Sequence, residues 1–176
     1  VILRQKIIKN PGKSFRYSSG DTQLLAMIIE KATGTTLSNY LSEKFWKPMG
    51  AENTALWQLD SYKYGMEKAY CCIASTARDF ARFGKLYINK GKWENEIILD
   101  SSFVEQAINP VFEESPYYGY GWWLYNYDGK KVFTMNGHRG QFVISFPEDN
   151  IIIVRQGDFN EKGRVSERSG DLYKYI

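Results

Sequence analysis

The spacing of apolar residues changes once along this chain, and that change limits the possible folds more than any other feature. From Ser19 to about Asn109 they recur at helical intervals, whereas after Pro116 they alternate as strands do. Asp21 or Ser19 can cap a first helix whose Leu24, Leu25, Ile28, Ile29 and Ala32 share one broad face, with Gly34 placed to end it. A second helix fits Leu37 to Phe45 and stops before Pro48, and the tract from Gly50 to Tyr70, rich in Tyr and Trp, has little periodicity. Thr76 and Asp79 form a capping pair ahead of Phe80, Phe83, Leu86 and Tyr87, and Ser102 with Glu105 repeats that signature before a short helix closed by Asn109 and Pro110. In the second half, Tyr118, Tyr120, Trp122 and Leu124 lie on one side of an alternation, and Trp123 and Tyr125 on the other. Asp128-Gly129 is a hairpin turn, and strands follow at Val132 to Met135, Gln141 to Phe146 and Ile151 to Arg155. A terminal helix is expected from Arg164 to Ile176. Short connections make the strands antiparallel neighbours, so the class is α+β, with residues 1–115 mainly helical and 116–176 forming the sheet and last helix.

A chain of 176 residues with 5 Trp, 13 Tyr and 10 Phe has apolar material enough for a core without staples. Its net charge of +3 comes from scattered basic residues, which argues against a nucleic-acid partner. The longest apolar run, Leu24 to Ile29, falls far short of the ~20 residues that cross a bilayer. Val1 to Ile8 lacks the layout of a signal peptide, and the absence of an initiator Met suggests a processed or excised chain. Cys71 and Cys72 are adjacent, an arrangement that does not easily reach disulfide geometry, and read as two small core residues. A single histidine, His138, excludes multi-His zinc sites, and no metal or cofactor is expected.

Three local features could carry chemistry, and each also has a plain structural reading. Phe15-Arg16-Tyr17-Ser18-Ser19-Gly20-Asp21 sets hydroxyls at a helix mouth, where N–H groups favour developing negative charge; equally, it is a cap beside a packed tyrosine. Gly137-His138-Arg139-Gly140 would let a backbone edge approach a ligand while His and Arg bring donors, but a hairpin explains the glycines as well. Tyr117-Tyr118-Gly119-Tyr120-Gly121-Trp122-Trp123 could wall an aromatic pocket or simply fill a core.

Their joint order is more specific. Tyr17-Ser18-Ser19-Gly20 with the helix to Gly34 and Pro48-Met49-Gly50 resembles the Tyr-Ser-Asn segment of the β-lactamase-related serine hydrolases, which include class C β-lactamases, D-alanyl-D-alanine carboxypeptidases and 6-aminohexanoate-dimer hydrolases. Ala74-Ser75-Thr76-Ala77-Arg78-Asp79, Tyr118-Gly119-Tyr120-Gly121-Trp122 and Gly137-His138-Arg139-Gly140 are similar to that family's later helix, strand and third motif, in the same order. The resemblance implies a β-lactamase/transpeptidase-like fold and acyl-enzyme hydrolysis of a small ester, amide or peptide. Carried over residue by residue, it implies Tyr17 as proton relay and the Gln141 backbone N–H as an oxyanion donor. Ser19, in place of Asn, would meet substrate together with His138, Arg139 and Gly140.

Departures from the pattern are as informative. No serine is followed three positions later by lysine, so the Ser-x-x-Lys nucleophile motif is missing. The family places it upstream of the Tyr motif, so the chain is expected to be the C-terminal portion of one β-lactamase-like domain, inactive by itself and partnered by its upstream segment. Ser19 for Asn shortens a substrate-amide contact, and Arg139 replaces the usual hydroxyl residue. The alternative is a non-catalytic binding protein of the same fold. Family resemblance favours a periplasmic or extracellular location.

Overall fold

A computed structural model of the protein describes residues 10, 12–63, 65–138 and 140–157. The chain divides into two units, Val1–Ser75 and Thr76–Ile176. The helix expected at Arg164 to Ile176 lies outside the described residues, as does Val1 to Ile8.

In the first unit, helix α1 (Ser19–Thr33) begins where Ser18 adopts an extended backbone and its Oγ accepts from the Asp21 N–H at 3.2 Å. The cap is thus Ser18 rather than Asp21 or Ser19. Gly34 ends the helix with φ 71° and donates its N–H to the Glu30 carbonyl. The apolar face does not point inward as its pattern suggests: Gln23 and Ala26 are buried, while Leu24, Leu25, Ile28 and Ile29 are exposed. Thr36 caps α2 (Leu37–Leu41), which widens into a π-helical turn, Ser42–Trp46. Trp46 is buried and donates its indole N–H to the Asn53 carbonyl at 2.8 Å, and Met49 beyond it is fully enclosed.

The aperiodic tract contains β1 (Leu56–Trp57), which pairs antiparallel with β2 (Ile73–Ala74), and a further bridge joins Leu59 to Glu67. The buried Glu67 is the polar centre of this unit. Its carboxylate accepts from the Ser38 N–H at 2.9 Å, in the first turn of α2, and its carbonyl accepts from the Gln23 side-chain amide at 2.9 Å. The Gln23 oxygen in turn takes the Ala69 N–H at 2.9 Å. One buried amide therefore ties α1 to the turn before β2, and this explains why a glutamine faces inward.

Cys71 and Cys72 are not two thiols in a core. They are joined by a disulfide, with Cys71 half-buried and Cys72 exposed. Cys72 has φ 76°, a left-handed backbone that side-chain-bearing residues seldom adopt and that adjacency in sequence does not reveal, and in this conformation the two neighbouring cysteines are bonded.

The second unit opens with α3 (Ala77–Ile88). Thr76 Oγ1 accepts from the Asp79 N–H at 3.2 Å and donates to Asp79 Oδ2 at 2.8 Å, as the capping pair predicts. A small hairpin of β3 (Lys92–Trp93) and β4 (Glu96–Ile97) leads to α4 (Ser101–Ala107), whose cap is Asp100 rather than Ser102. Four strands then form an antiparallel meander in sequence order: β5 (Trp123–Tyr127), β6 (Lys130–Gly137), β7 (Gln141–Phe146) and β8 (Ile151–Arg155). Alternation sorts their side chains into two clusters. One holds Val132, Phe142, Ile144 and Phe146, and the other Leu124 and Phe133 with Trp122 and Ala107. Both faces of the sheet are therefore buried. Trp122 makes edge contacts with Tyr87 at 4.6 Å and Phe133 at 4.9 Å, and burial pushes the Tyr87 hydroxyl pKa upward against an opposing hydrogen bond involving Trp122.

Candidate active site

The residues expected to carry chemistry fall in both units, each set positioned by its own local structure. In the first, Tyr17 directly precedes the Ser18 cap and is 54% exposed, and Ser19 is exposed on the opening residue of α1. The Ser18 hydroxyl is used by the helix, through the Asp21 N–H, and its carbonyl accepts the Thr22 N–H at 3.3 Å. The Ser18 hydroxyl thus serves the helix as its cap. A tyrosine beside the positive end of a 15-residue helix sits where an anion or a developing oxyanion is favoured.

In the second unit, His138 and Gly140 lie in the turn between β6 and β7, with His138 exposed and Gly140 buried. Arg139 lies outside the described residues. Gly137 pairs with Gln141 across the hairpin, so the motif is the end of a ladder rather than a separate loop. Glycine at 140 answers two demands. Its φ is 76°, and any Cβ there would run into the Arg155 guanidinium, which donates from Nη1 to the Gly140 carbonyl. Gln141 begins β7, and its side-chain amide is committed: Nε2 donates to the Gly157 carbonyl at 2.6 Å and Oε1 accepts the Gly157 N–H at 3.0 Å. The hairpin end is therefore clamped to the exit of β8 by two side chains, Arg155 and Gln141.

Sequence reasoning missed Arg155 as a positioning group, although a lone cation ending Ile151-Ile152-Ile153-Val154 is a visible signal. It missed Asn136 too. This residue accepts from the Thr134 hydroxyl and donates to the Tyr125 hydroxyl at 2.8 Å, two residues from His138. An asparagine within an alternating apolar strand marks such a network.

The aromatic segment is a folded turn before β5 rather than a strand lining a pocket. Tyr120 donates its backbone N–H to the Ala107 carbonyl at 3.0 Å, and Gly119 lies so close to that carbonyl that a side chain would collide with it. Only Trp122 enters the core, whereas Tyr120 stacks on Phe103 and Tyr117 on Trp123 at the surface. An open cleft of about 330 Å³ in the first unit is lined by Leu41, Trp46, Asn53, Trp57 and Ile73 among others, and includes none of the expected site residues. No helix among the described residues is long and apolar enough to cross a membrane.

Comparison with known proteins places this geometry in context. Residues 1–156 match the family model described as Beta-lactamase. A 6-aminohexanoate-dimer hydrolase from Paenarthrobacter ureafaciens is 25% identical over 154 residues, which cover 80% of this chain and 38% of that protein. Beta-lactamase-like protein 2 of Dictyostelium discoideum is 28% identical over 120 residues, or 56% of this chain and 21% of its own. Among solved structures, one described as a 6-aminohexanoate-dimer hydrolase from Bacillus anthracis superposes with a TM-score of 0.82 at 30% identity, covering 99% of this chain and 45% of that one. A second, described as a beta-lactamase from Bacteroides dorei, gives a TM-score of 0.72 at 19% identity, covering 98% and 60%, and supports the fold alone. The chain thus spans less than half the length of the curated relatives it matches.

Proposed function

The chain belongs to the beta-lactamase family, and on that premise we propose that it carries the second and third motifs of an acyl-enzyme serine hydrolase acting on an ester or amide, with the Ser-x-x-Lys pair outside these 176 residues. The observation that carries this reading is Tyr17. It stands at the capped mouth of α1, more than half exposed, where a core tyrosine would be enclosed. In the proposed reaction the nucleophilic serine attacks the carbonyl carbon, Tyr17 passes the serine proton to the leaving group, and the Gln141 N–H stabilises the oxyanion. Water then releases the acyl group. Ser19, His138, Arg139 and Gly140 would border the substrate, with the shape of the hairpin end maintained by Arg155. The relatives named for 6-aminohexanoate dimer make a linear amide a sensible first substrate to try.

The test uses a protein extended upstream to the length of its relatives. Tyr17→Phe keeps the ring and loses the hydroxyl, so kcat on p-nitrophenyl acetate or 6-aminohexanoate dimer should fall by roughly 100-fold with an unchanged circular dichroism spectrum. Activity within about twofold of the parent would remove Tyr17 from the mechanism. A second reading is a non-catalytic binding protein of the same fold. That reading gains if the extended protein neither turns over esters and amides nor takes up a fluorophosphonate at serine.

A further inference from the structure

We propose that Cys71–Cys72 is a reversible thiol–disulfide exchange site, taking small dithiols as its reductants, and that its redox state sets the conformation of the turn at residues 68–72. This inference does not depend on the hydrolase reading. Adjacent cysteines close a ring that includes the peptide bond between them, so the disulfide and the backbone cannot change independently. Cys72 holds φ 76°, a region that side-chain-bearing residues seldom occupy, and the ring is the covalent restraint that keeps it there.

Two hydrogen bonds make this geometry matter to its surroundings. The Cys71 carbonyl accepts from the Trp57 indole N–H at 3.1 Å, which is shared with the Lys68 carbonyl at 3.0 Å, and the Cys72 carbonyl accepts from the Gln58 N–H at 3.0 Å. Any rotation of the 71–72 peptide therefore alters how β2 meets β1. The turn is also tied to α1, because Ala69 donates its N–H to Gln23.

Access is available, since Cys72 is exposed. A thiolate of the dithiol attacks Cys72 Sγ, the Sγ–Sγ bond breaks, and the electron pair leaves on Cys71 as a thiolate that takes up a proton. The second thiol of the reductant then attacks its own sulfur in the mixed disulfide and releases Cys72 as a thiol. The dithiol ends as a disulfide and the protein gains two electrons and two protons. Once the ring is open, Cys72 can relax to negative φ.

The experiment combines native alkylation with hydrogen exchange on the intact chain. Iodoacetamide should add nothing before dithiothreitol and alkylate both cysteines after it, and removing the reductant under oxidised glutathione should restore resistance. Amide exchange at Gln58 should quicken by about tenfold on reduction, while protection in β6 and β7 is unchanged. Cys71→Ser combined with Cys72→Ser should exchange at the reduced rate whether or not dithiothreitol is present. Alkylation without reductant, a Gln58 rate unmoved by reduction, or a serine variant that still responds to dithiothreitol would each overturn the proposal. So would loss of protection throughout the chain on reduction, which would make the disulfide a structural staple.

Discussion

The two units are held by different kinds of force. Among the described residues, the buried apolar set of the first unit is Ala26, Leu37, Trp46 and Met49, whereas the second encloses Leu86, Trp93, Val104, Trp122, Leu124, Val132, Phe133, Val143, Ile144 and others. The first unit compensates with directional bonds: the Glu67 carboxylate on α2, the Gln23 amide across to Ala69, two indole N–H groups on carbonyls, and one disulfide. Area burial is largely indifferent to pH and redox poise, whereas hydrogen bonds to a carboxylate and a bond between sulfurs are not. Reduction should therefore reach the first unit alone, because both cysteines lie there, whereas acid reaches both, since the buried Asp79 of the second unit also accepts from Thr76 and Arg82.

The largest effect should come from the second unit. Phe133 is fully enclosed between Trp122 and Tyr87, so Phe133→Ala removes a large ring and leaves a cavity. Chemical denaturation followed by tryptophan fluorescence should record a loss of about 3–5 kcal/mol. A cost under about 1 kcal/mol would show that the cluster tolerates collapse and that the contrast between the units is overdrawn.

Next in size is Glu67, which tests the polar side of the contrast. Burial raises the pKa of its carboxyl, but the hydrogen bonds from Ser38, with help from Glu30 and its own backbone, outweigh that and hold it below its ordinary value of 4.5. The unfolded chain therefore binds the proton more readily than the folded one. Stability from this group is fully present above the ordinary value and is lost as pH falls through the lower, folded one. Glu67→Gln should cost roughly 1.5–3 kcal/mol at neutral pH and make the remaining stability less sensitive to acid. Parallel acid limbs for variant and parent in urea titrations would refute the assignment.

How far the sequence spoke for this molecule follows the same division. Periodicity located α1, α3 and the strands β6 to β8 because each buries or caps a regular pattern, and Thr76 with Asp79 was readable as a cap. It failed where backbone geometry rather than hydrophobicity decides. The left-handed Cys72 permits a disulfide between neighbours, and Gly119 folded against Ala107 delays the expected first strand, which starts only at Trp123. Gln23 is buried through a partner 46 positions away, which no local pattern reveals. At the site, the motif glycine at 140 was visible, but the Arg155 side chain that closes on it comes from another strand.

The smallest expected effect bears on α1, the clearest mismatch between pattern and burial. Leu25 is 61% exposed and Ala26 beside it only 3%, although the leucine is the more hydrophobic. Leu25→Gln gives up little buried area and should change stability by no more than about 0.5 kcal/mol. Ala26→Gln must force a longer polar side chain into a filled space and should cost about 1–3 kcal/mol. The order of the two effects is what matters, because a helix rotated to hide its leucines would reverse it. Running both variants at two protein concentrations separates rotation from self-association. A Leu25→Gln penalty that grows with concentration would mean that a second copy covers the leucines, whereas a large penalty independent of concentration would mean that they face the interior of the same chain.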